Sequence, residues 1–174
     1  MKFLLLAAII INSSLFALST EQLKTLQIVR DVARTVPADN GETYEDTLSA
    51  ICLTESSAGK NLIGDFKKNV VLTKASLGVM QVQVATARFV ARKVEALAWI
   101  DKMSNAQIAN RLLTDVEFSA RIAAHYFVLL KNDREKYFHS VSGYNGGMEN
   151  KPYYSRVMKN LQLINKLKES KKLS

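Results

Sequence analysis

Residues 47–59 constrain the fold most, because their apolar side chains repeat with the period of an α-helix. Leu48, Ile51 and Cys52 share one face of that helix, and Glu55 continues the same face by one more turn. A carboxylate in this place either lies at the edge of the face and reaches water, or is held protonated by its surroundings, as a general acid is. The helix alone leaves both interpretations open.

Residues 1–19 have the layout of a secretory signal peptide, in which a lysine precedes a short apolar run and then small polar residues. Ala17 and Ser19 have the spacing of a cleavage site, so we expect residues 20–174 to form the mature chain. This predicts export to the periplasm or elsewhere in the cell envelope, without stable membrane insertion after cleavage. The run is short for a membrane span, and an uncleaved anchor is the alternative.

The net charge indicates which kinds of partner the protein binds, and the cysteine content indicates whether disulfides stabilise it. The chain of 174 residues has a formal net charge of +8, which favours anionic partners such as cell-wall polymer. The basic C-terminal tail has no interleaved aromatic residues, so nucleic acid is not a predicted partner. Cys52 is the single cysteine, which excludes an intrachain disulfide, and its place on the apolar face predicts a buried, unreactive thiol.

Further helical patterns follow along the chain. Ser104 and Gln107, like Thr114 and Glu117, have the spacing of a capping box at a helix start. The segment between the second and third helices is irregular, and a strand is allowed only at residues 69–73. The sequence thus predicts a mostly α single domain with a short irregular or β segment around residues 60–76. The predicted helices, besides that of residues 47–59, cover residues 22–36, 83–98, 104–112, 114–130 and 152–168, and a short helix leads into residues 143–147.

Two further stretches have residues suited to ligand binding. Residues 78–82 place a glycine before an apolar pair and a glutamine, which allows close approach of the backbone to a ligand and supplies an amide. Residues 143–147 place a tyrosine and an asparagine on a glycine-rich turn. Each pattern also fits an ordinary structural role, at a helix start or at a helix end.

In combination and in this order, the motifs resemble the family 1 lytic transglycosylases of the soluble lytic transglycosylase type, which have a lysozyme-like fold. The family's Glu-Ser pair at a helix end is Glu55-Ser56 here, and its Gly-Leu-Met-Gln motif is residues 78–81. Its Ala-Tyr-Asn motif, after a long helix, is residues 143–145. The resemblance covers roughly residues 44–161.

The chain departs from the family pattern at several positions. Val79 replaces a leucine, which is a small loss of apolar volume. Gly143 replaces an alanine, which we expect to loosen the turn before the tyrosine. The family often has a serine several residues before the Gly-Leu-Met-Gln motif, and neither Thr73 nor Ser76 aligns with it cleanly.

The resemblance implies an enzyme that cleaves the β-1,4 bond between N-acetylmuramic acid and N-acetylglucosamine in peptidoglycan without water. One carboxyl group, Glu55 here, protonates the leaving oxygen and then takes a proton from the muramoyl C6 hydroxyl, which closes a 1,6-anhydro ring. No cofactor and no metal are implied. A two-carboxylate glycosidase would need a second acid across the cleft, and we interpret Asp65 and Asp115 instead as a turn residue and a helix-start charge.

The resemblance also implies a set of substrate-binding residues. Met80 and Gln81 would line the cleft, and the hydroxyl of Tyr144 would orient the carboxyl of Glu55. A tyrosine before Val157 would close the other wall. Tyr154 is the expected match, with the adjacent Tyr153 left open as the alternative. The full expected set is Ser56, Ser76, Met80, Gln81, Tyr144, Asn145 and Tyr154.

Two other functions stay open at this point. One is a hydrolytic muramidase on the same fold, in which water replaces the C6 hydroxyl. The other is a non-catalytic peptidoglycan-binding component of a secretion apparatus. The expected partner in every case is the peptidoglycan glycan strand, and family analogy suggests a secretion or conjugation apparatus as a second partner.

Overall fold

The structure, a computed structural model, describes residues 18–64 and 71–174, so most of the predicted signal peptide lies outside the described residues. The predicted fold class is confirmed, because helices dominate and the short β segment lies where we expected it. No helix among the described residues combines the length and apolar character needed to cross a membrane. The helices are α1 (Thr20–Arg34), α2 (Glu45–Ser56), α3 (Val84–Lys93), α4 (Asn105–Thr114), α5 (Val116–Asp133), α6 (Tyr137–Tyr144) and α7 (Lys151–Glu169).

The β structure consists of β1 (Ile63–Gly64) and β2 (Ser76–Leu77), which pair antiparallel with Gly64 opposite Ser76. The prediction of a strand at residues 69–73 is wrong for the described part, residues 71–73, since Leu72–Lys74 forms a 3-10 turn. The rest of that prediction, residues 69–70, lies outside the described residues. The two-residue strands depend on pairing with each other rather than on a run of strand-forming residues.

Helix boundaries also differ from the prediction, most clearly at α3 and α5. The helix expected over residues 83–98 ends at Lys93, and a 3-10 helix, Glu95–Lys102, follows after the extended backbone of Val94. The long helix α5 is capped by Asp115 rather than Thr114, because the Asp115 carboxylate accepts a hydrogen bond from the backbone N–H of Phe118. The other capping box, Ser104 with Gln107, is confirmed.

Helix α2 lies against both α1 and α7, and its predicted apolar face is buried. Leu48, Ile51 and Cys52 are at most 2% exposed. The Cys52 thiol donates a hydrogen bond to the Val79 carbonyl, and burial raises the pKa of Cys52 to about 12. The predicted buried, unreactive thiol is therefore confirmed, since almost no thiolate exists near neutral pH.

A charge network with one buried member, Arg30, joins these three helices. Arg30 on α1 is 1% exposed and pairs with Asp46 on α2, and Asp46 also accepts a hydrogen bond from Lys168 on α7. Burial raises the pKa of Asp46, but the hydrogen bonds from Lys168 and Arg30 outweigh burial and lower that pKa overall. The ion pairs therefore stabilise the fold when Asp46 is ionised.

We expect Asp46→Asn to lower the free energy of unfolding by about 2 kcal/mol at pH 7, because Arg30 then keeps a buried charge without its carboxylate. The folded-state pKa of Asp46 is depressed, so its contribution is present above the unfolded pKa, about 3.9, and is lost as pH falls. Urea unfolding at pH 7 and pH 3 measures both effects. Asp101→Asn, at a partly exposed pair with Arg88, is the matched control, with a change within about 1 kcal/mol. Equal losses at both pH values would contradict the argument.

Candidate active site

A cavity of about 260 Å³ lies where the end of α2, the turn between β2 and α3, and the glycine-rich turn after α6 come together. Its lining is mixed, with a carboxylate, amides, hydroxyls and two tyrosine rings, which suits a polar ligand with apolar faces. Of the predicted site residues, five line it: Glu55, Ser76, Gln81, Tyr144 and Asn145. The remaining lining residues are Val82, Gln83, Thr86, Tyr126 and Gly146.

Glu55 reaches this cavity from the last turn of α2, and its side chain is half-buried. The helix stops just after it, because Ser57, Ala58 and Gly59 all have positive φ. The hydroxyl of Tyr153, on the first turn of α7, donates a hydrogen bond of 2.6 Å to Oε1 of Glu55. Burial, and then the charge of Glu55, raise the pKa of Tyr153, so this hydroxyl keeps its proton and remains a donor.

Ser56 does not line the cavity, and the prediction that it binds substrate is wrong. Its side chain is fully buried, and Oγ donates to the Val79 carbonyl at 2.6 Å while accepting from the N–H of Gly59 at 2.8 Å. Ser56 therefore joins the end of α2 to residues 78–81, the Gly-Val-Met-Gln turn. It places Glu55 beside that turn without contacting a ligand.

The Gly-Val-Met-Gln turn is a tight hairpin in which Leu77 and Val82 exchange both backbone hydrogen bonds. Gly78 has φ of +74°, and a Cβ there would lie 1.8 Å from the Leu112 carbonyl oxygen of α4. We had expected the glycine to allow close approach to a ligand, whereas it allows close approach to helix α4. Met80 is 0% exposed, so the prediction that its side chain lines the cleft is also wrong.

Gln81 closes the same turn and does reach the cavity, with a backbone φ of +50°. Its amide nitrogen donates to the carbonyls of Gly78 and Asn61, at 2.9 and 3.2 Å. The amide oxygen lies over Gly64, where a Cβ would meet it at 2.1 Å. The amide is therefore fixed between the hairpin and β1, and its place at the cavity wall does not depend on a ligand.

Tyr144 lines the cavity, but its hydroxyl has a different acceptor from the one expected. It donates to the Met80 carbonyl at 2.9 Å, and the ring packs against Tyr126 with centroids 5.7 Å apart. It is the hydroxyl of Tyr153 that donates to Glu55 instead. Tyr144 thus ties the glycine-rich turn to the Gly-Val-Met-Gln turn and presents its ring to the cavity.

Tyr154, the expected ring of the other wall, lies outside the cavity lining. It packs edge-on against Phe138, with centroids 5.0 Å apart, and also against Tyr137. Tyr153, the alternative left open in the sequence, contacts Glu55 through its hydroxyl, but it is 1% exposed and does not line the cavity either. The substrate contact predicted for Tyr154 is therefore corrected to a packing contact between α6 and α7.

Sequence reasoning missed several lining residues, for which the sequence gives weak signals. Tyr126 lies on the predicted inner face of α5, so the sequence pattern indicated a core residue and not a cavity wall. Gln83 and Thr86 lie at the start of α3, where polar residues are common. Nothing in their spacing distinguishes a cavity wall from an ordinary helix start.

A helical domain whose described cleft lining combines one acidic side chain with polar and aromatic groups defines a candidate glycan-cleaving site. A family model described as the Transglycosylase SLT domain matches residues 36–164, which include Glu55 and both turns of the cavity. The chain therefore belongs to this family, and the resemblance found in the sequence is confirmed. The family acts on peptidoglycan as lytic transglycosylases, which gives the general function of the domain. Comparisons with curated proteins and with solved structures gave no match.

We expect Tyr153→Phe to lower activity on peptidoglycan about 10- to 100-fold, because the carboxyl of Glu55 loses its phenolic donor. The ring stays in place, so thermal stability should change little. Turbidity loss of a peptidoglycan suspension measures the activity. Tyr154→Phe is the matched control and should retain nearly full activity. A Tyr153→Phe variant as active as the wild type would exclude the orienting role.

Proposed function

We propose that the protein is a lytic transglycosylase in which Glu55 is the single general acid and base. As an acid, Glu55 gives its proton to the oxygen that leaves with N-acetylglucosamine, and the bond from that oxygen to C1 of N-acetylmuramic acid breaks. As a carboxylate, it then takes the proton of the C6 hydroxyl, whose oxygen bonds to C1. The products are a 1,6-anhydro-muramoyl end and a glycan with a free 4-hydroxyl, and Glu55 is protonated again.

The observation that supports this proposal most is the composition of the described cavity lining, which holds one carboxylate. Among the described residues that line the cavity, Glu55 is the one carboxylate. Asp115, one of the two alternatives from the sequence, caps α5 and pairs with Arg111, and Asp65 lies outside the described residues. Inverting and retaining hydrolases use two carboxylates across the bond that they cleave. One carboxylate among the described lining residues instead favours a reaction that needs no activated water.

Product analysis tests the proposal. Purified peptidoglycan is digested with the protein, and the soluble muropeptides are analysed by mass spectrometry, with a suspension incubated without protein as the control. We expect muramoyl ends lighter by one water than the products of hydrolysis. Reducing ends would favour the hydrolytic muramidase. Binding to peptidoglycan without any product would favour the non-catalytic alternative.

We further propose that the chain acts in the periplasm or elsewhere in the cell envelope. The signal-peptide layout of residues 1–19 and the net charge of +8 support this location, since a basic protein is attracted to an anionic wall. Association with a secretion or conjugation apparatus stays a prediction. Fractionation of cells, followed by N-terminal sequencing of the protein recovered, tests the location.

The site of signal cleavage should also affect stability. The Ser19 hydroxyl caps α1 by accepting from the N–H of Gln22, and the Gln22 side chain accepts from the N–H of Ser19. A chain that begins at Thr20 lacks this capping box, so we expect a free energy of unfolding about 1 kcal/mol lower than for a chain that begins at Leu18. Urea unfolding of both chains measures it. Ser19→Ala in the longer chain should reproduce most of the loss, and equal stability of all three would contradict the role of the cap.

A further inference from the structure

The absence of a side chain at Gly143 has a structural consequence, which corrects our expectation that it loosens the turn. A Cβ at this position would lie 2.0 Å from Nη1 and 2.5 Å from Cζ of Arg134. The guanidinium group therefore occupies the space where an alanine methyl would lie. Gly143 does not leave a gap in the turn, because the end of a long side chain from the α5–α6 connection fills it.

Arg134 holds two carbonyl groups on opposite sides of that position. Its Nη1 donates to the carbonyl of His139 at 2.6 Å and to the carbonyl of Gly147 at 3.0 Å. One carbonyl belongs to the first turns of α6, and the other to the end of the glycine-rich turn, residues 143–147. The guanidinium therefore bridges the two ends of the segment that forms one cavity wall.

The placement of this group is unusual for a charged side chain. Nε of Arg134 is buried and has no hydrogen-bond partner in the described part of the chain. Burying a polar N–H without a partner opposes folding, so the geometry is maintained by the two charge-assisted bonds of Nη1 and by the space at Gly143. Removing either the guanidinium or the space should disturb the same contacts.

The segment held by Arg134 is connected to the acid. Tyr144, Asn145 and Gly146 line the cavity directly. Asn145 Oδ1 accepts a hydrogen bond of 3.0 Å from the amide of Asn150, whose own Oδ1 caps α7 by accepting from the N–H of Tyr153. The Tyr153 hydroxyl then donates to Glu55. A shift of the glycine-rich turn would therefore move one wall of the cavity. It would also disturb Asn150, which holds the start of α7 and thereby the Tyr153 hydroxyl that donates to Glu55.

We propose that Arg134 is a positioning residue, which fills the space at Gly143 and clamps the glycine-rich turn in the conformation that binds the glycan. The part of this proposal that concerns turnover rests on the proposed function, whereas the clamp itself does not. Gly143 and Arg134 act as one unit, since a Cβ at residue 143 would displace the guanidinium from the place where it holds the two carbonyls.

Kinetics on a soluble tetrasaccharide of alternating N-acetylglucosamine and N-acetylmuramic acid test this role. We expect Arg134→Ala and Gly143→Ala each to lower kcat/KM about tenfold. The larger part should be a rise in KM, because Glu55 itself is held by α2. The double variant should be no worse than Arg134→Ala alone, because both changes remove the same clamp. Losses that multiply in the double variant would overturn the proposal.

The chain offers a matched control in the same turn. A Cβ at Gly147 would meet Asn150 at 3.6 Å, an ordinary contact, and the carbonyl that accepts from Arg134 is retained. Gly147→Ala should therefore keep kcat/KM within about twofold of the wild type. If Arg134→Ala does not fold, Arg134→Lys replaces it, with an intermediate loss expected because one ammonium can still reach a carbonyl.

Amide hydrogen exchange tests the clamp without activity. Exchange in residues 143–150 should rise at least several-fold in Arg134→Ala and Gly143→Ala but not in Gly147→Ala, with the helices α1 and α2 unchanged. Unchanged exchange in both single variants would overturn the proposal. A wild-type protein that is inactive on peptidoglycan, yet shows the expected exchange pattern, would reject the proposed function and leave the clamp supported.

Discussion

Glu55→Gln is expected to abolish turnover, with a loss of about 10³-fold or more in the rate of peptidoglycan solubilisation. The amide has the shape of the carboxyl group but cannot give a proton to the glycosidic oxygen or take one from the C6 hydroxyl. The amide oxygen can still accept from the Tyr153 hydroxyl, so the packing between α2 and α7 is retained. We therefore expect a folded variant that still binds peptidoglycan.

Three measurements on the variant separate chemistry from folding and binding. These are turbidity loss of a suspension, co-sedimentation with insoluble peptidoglycan, and thermal unfolding. Glu45→Gln is the matched control, because it makes the same change at the other end of α2, away from the cavity lining. It should be fully active. Anhydro-muropeptides released by Glu55→Gln at a rate near that of the wild type would reject Glu55 as the acid.

The sequence predicted those parts of the fold that depend on local spacing. The apolar face of α2 and the capping box of Ser104 depend on residues three and four apart, which are neighbours on a helix. The predicted N-cap of α5 was one residue too early, since Thr114 and Asp115 are adjacent and both can cap a helix. Strands of two residues could not be predicted, because they form only through their tertiary pairing.

The choice between Tyr153 and Tyr154 illustrates how far the site could be predicted from the sequence. Val157 is buried on α7, and at about 100° per residue Tyr153 lies about 40° from it around the helix, whereas Tyr154 lies about 60° away on the other side. This difference is too small to decide which ring turns inward. The structure decides, because Tyr153 packs against α2 and meets Glu55, whereas Tyr154 meets Phe138.

Buried motif residues show a second limit. Ser56 and Met80 match the family pattern as well as Glu55 and Gln81 do, yet the structure buries the first two completely. A motif marks residues that the site requires, and it does not distinguish those that touch a ligand from those that hold the backbone. Ser56 binds the Val79 carbonyl, and the Met80 carbonyl accepts from Tyr144, so both act through the hairpin.

Gly78→Ala is the second change with a large expected effect, a loss of about 4 kcal/mol in the free energy of unfolding. Gly78 has φ of +74°, which opposes any Cβ, and the new Cβ would lie 1.8 Å from the backbone carbonyl of Leu112. That oxygen belongs to α4 and cannot rotate away as a long side chain can, so helix and hairpin must separate. The hairpin carries Gln81 and the carbonyl that binds Tyr144, so activity should fall as well.

Gly41→Ala separates the two causes of this loss. Gly41 has φ of +82°, but a Cβ there would have no atom within 4 Å, so only the backbone strain applies. We expect a loss of about 1 kcal/mol for Gly41→Ala, measured by urea unfolding beside Gly78→Ala, with activity unchanged. Similar losses for the two variants would show that the contact with α4 adds little. The difference between them measures how firmly α4 fixes the hairpin that forms one side of the cavity.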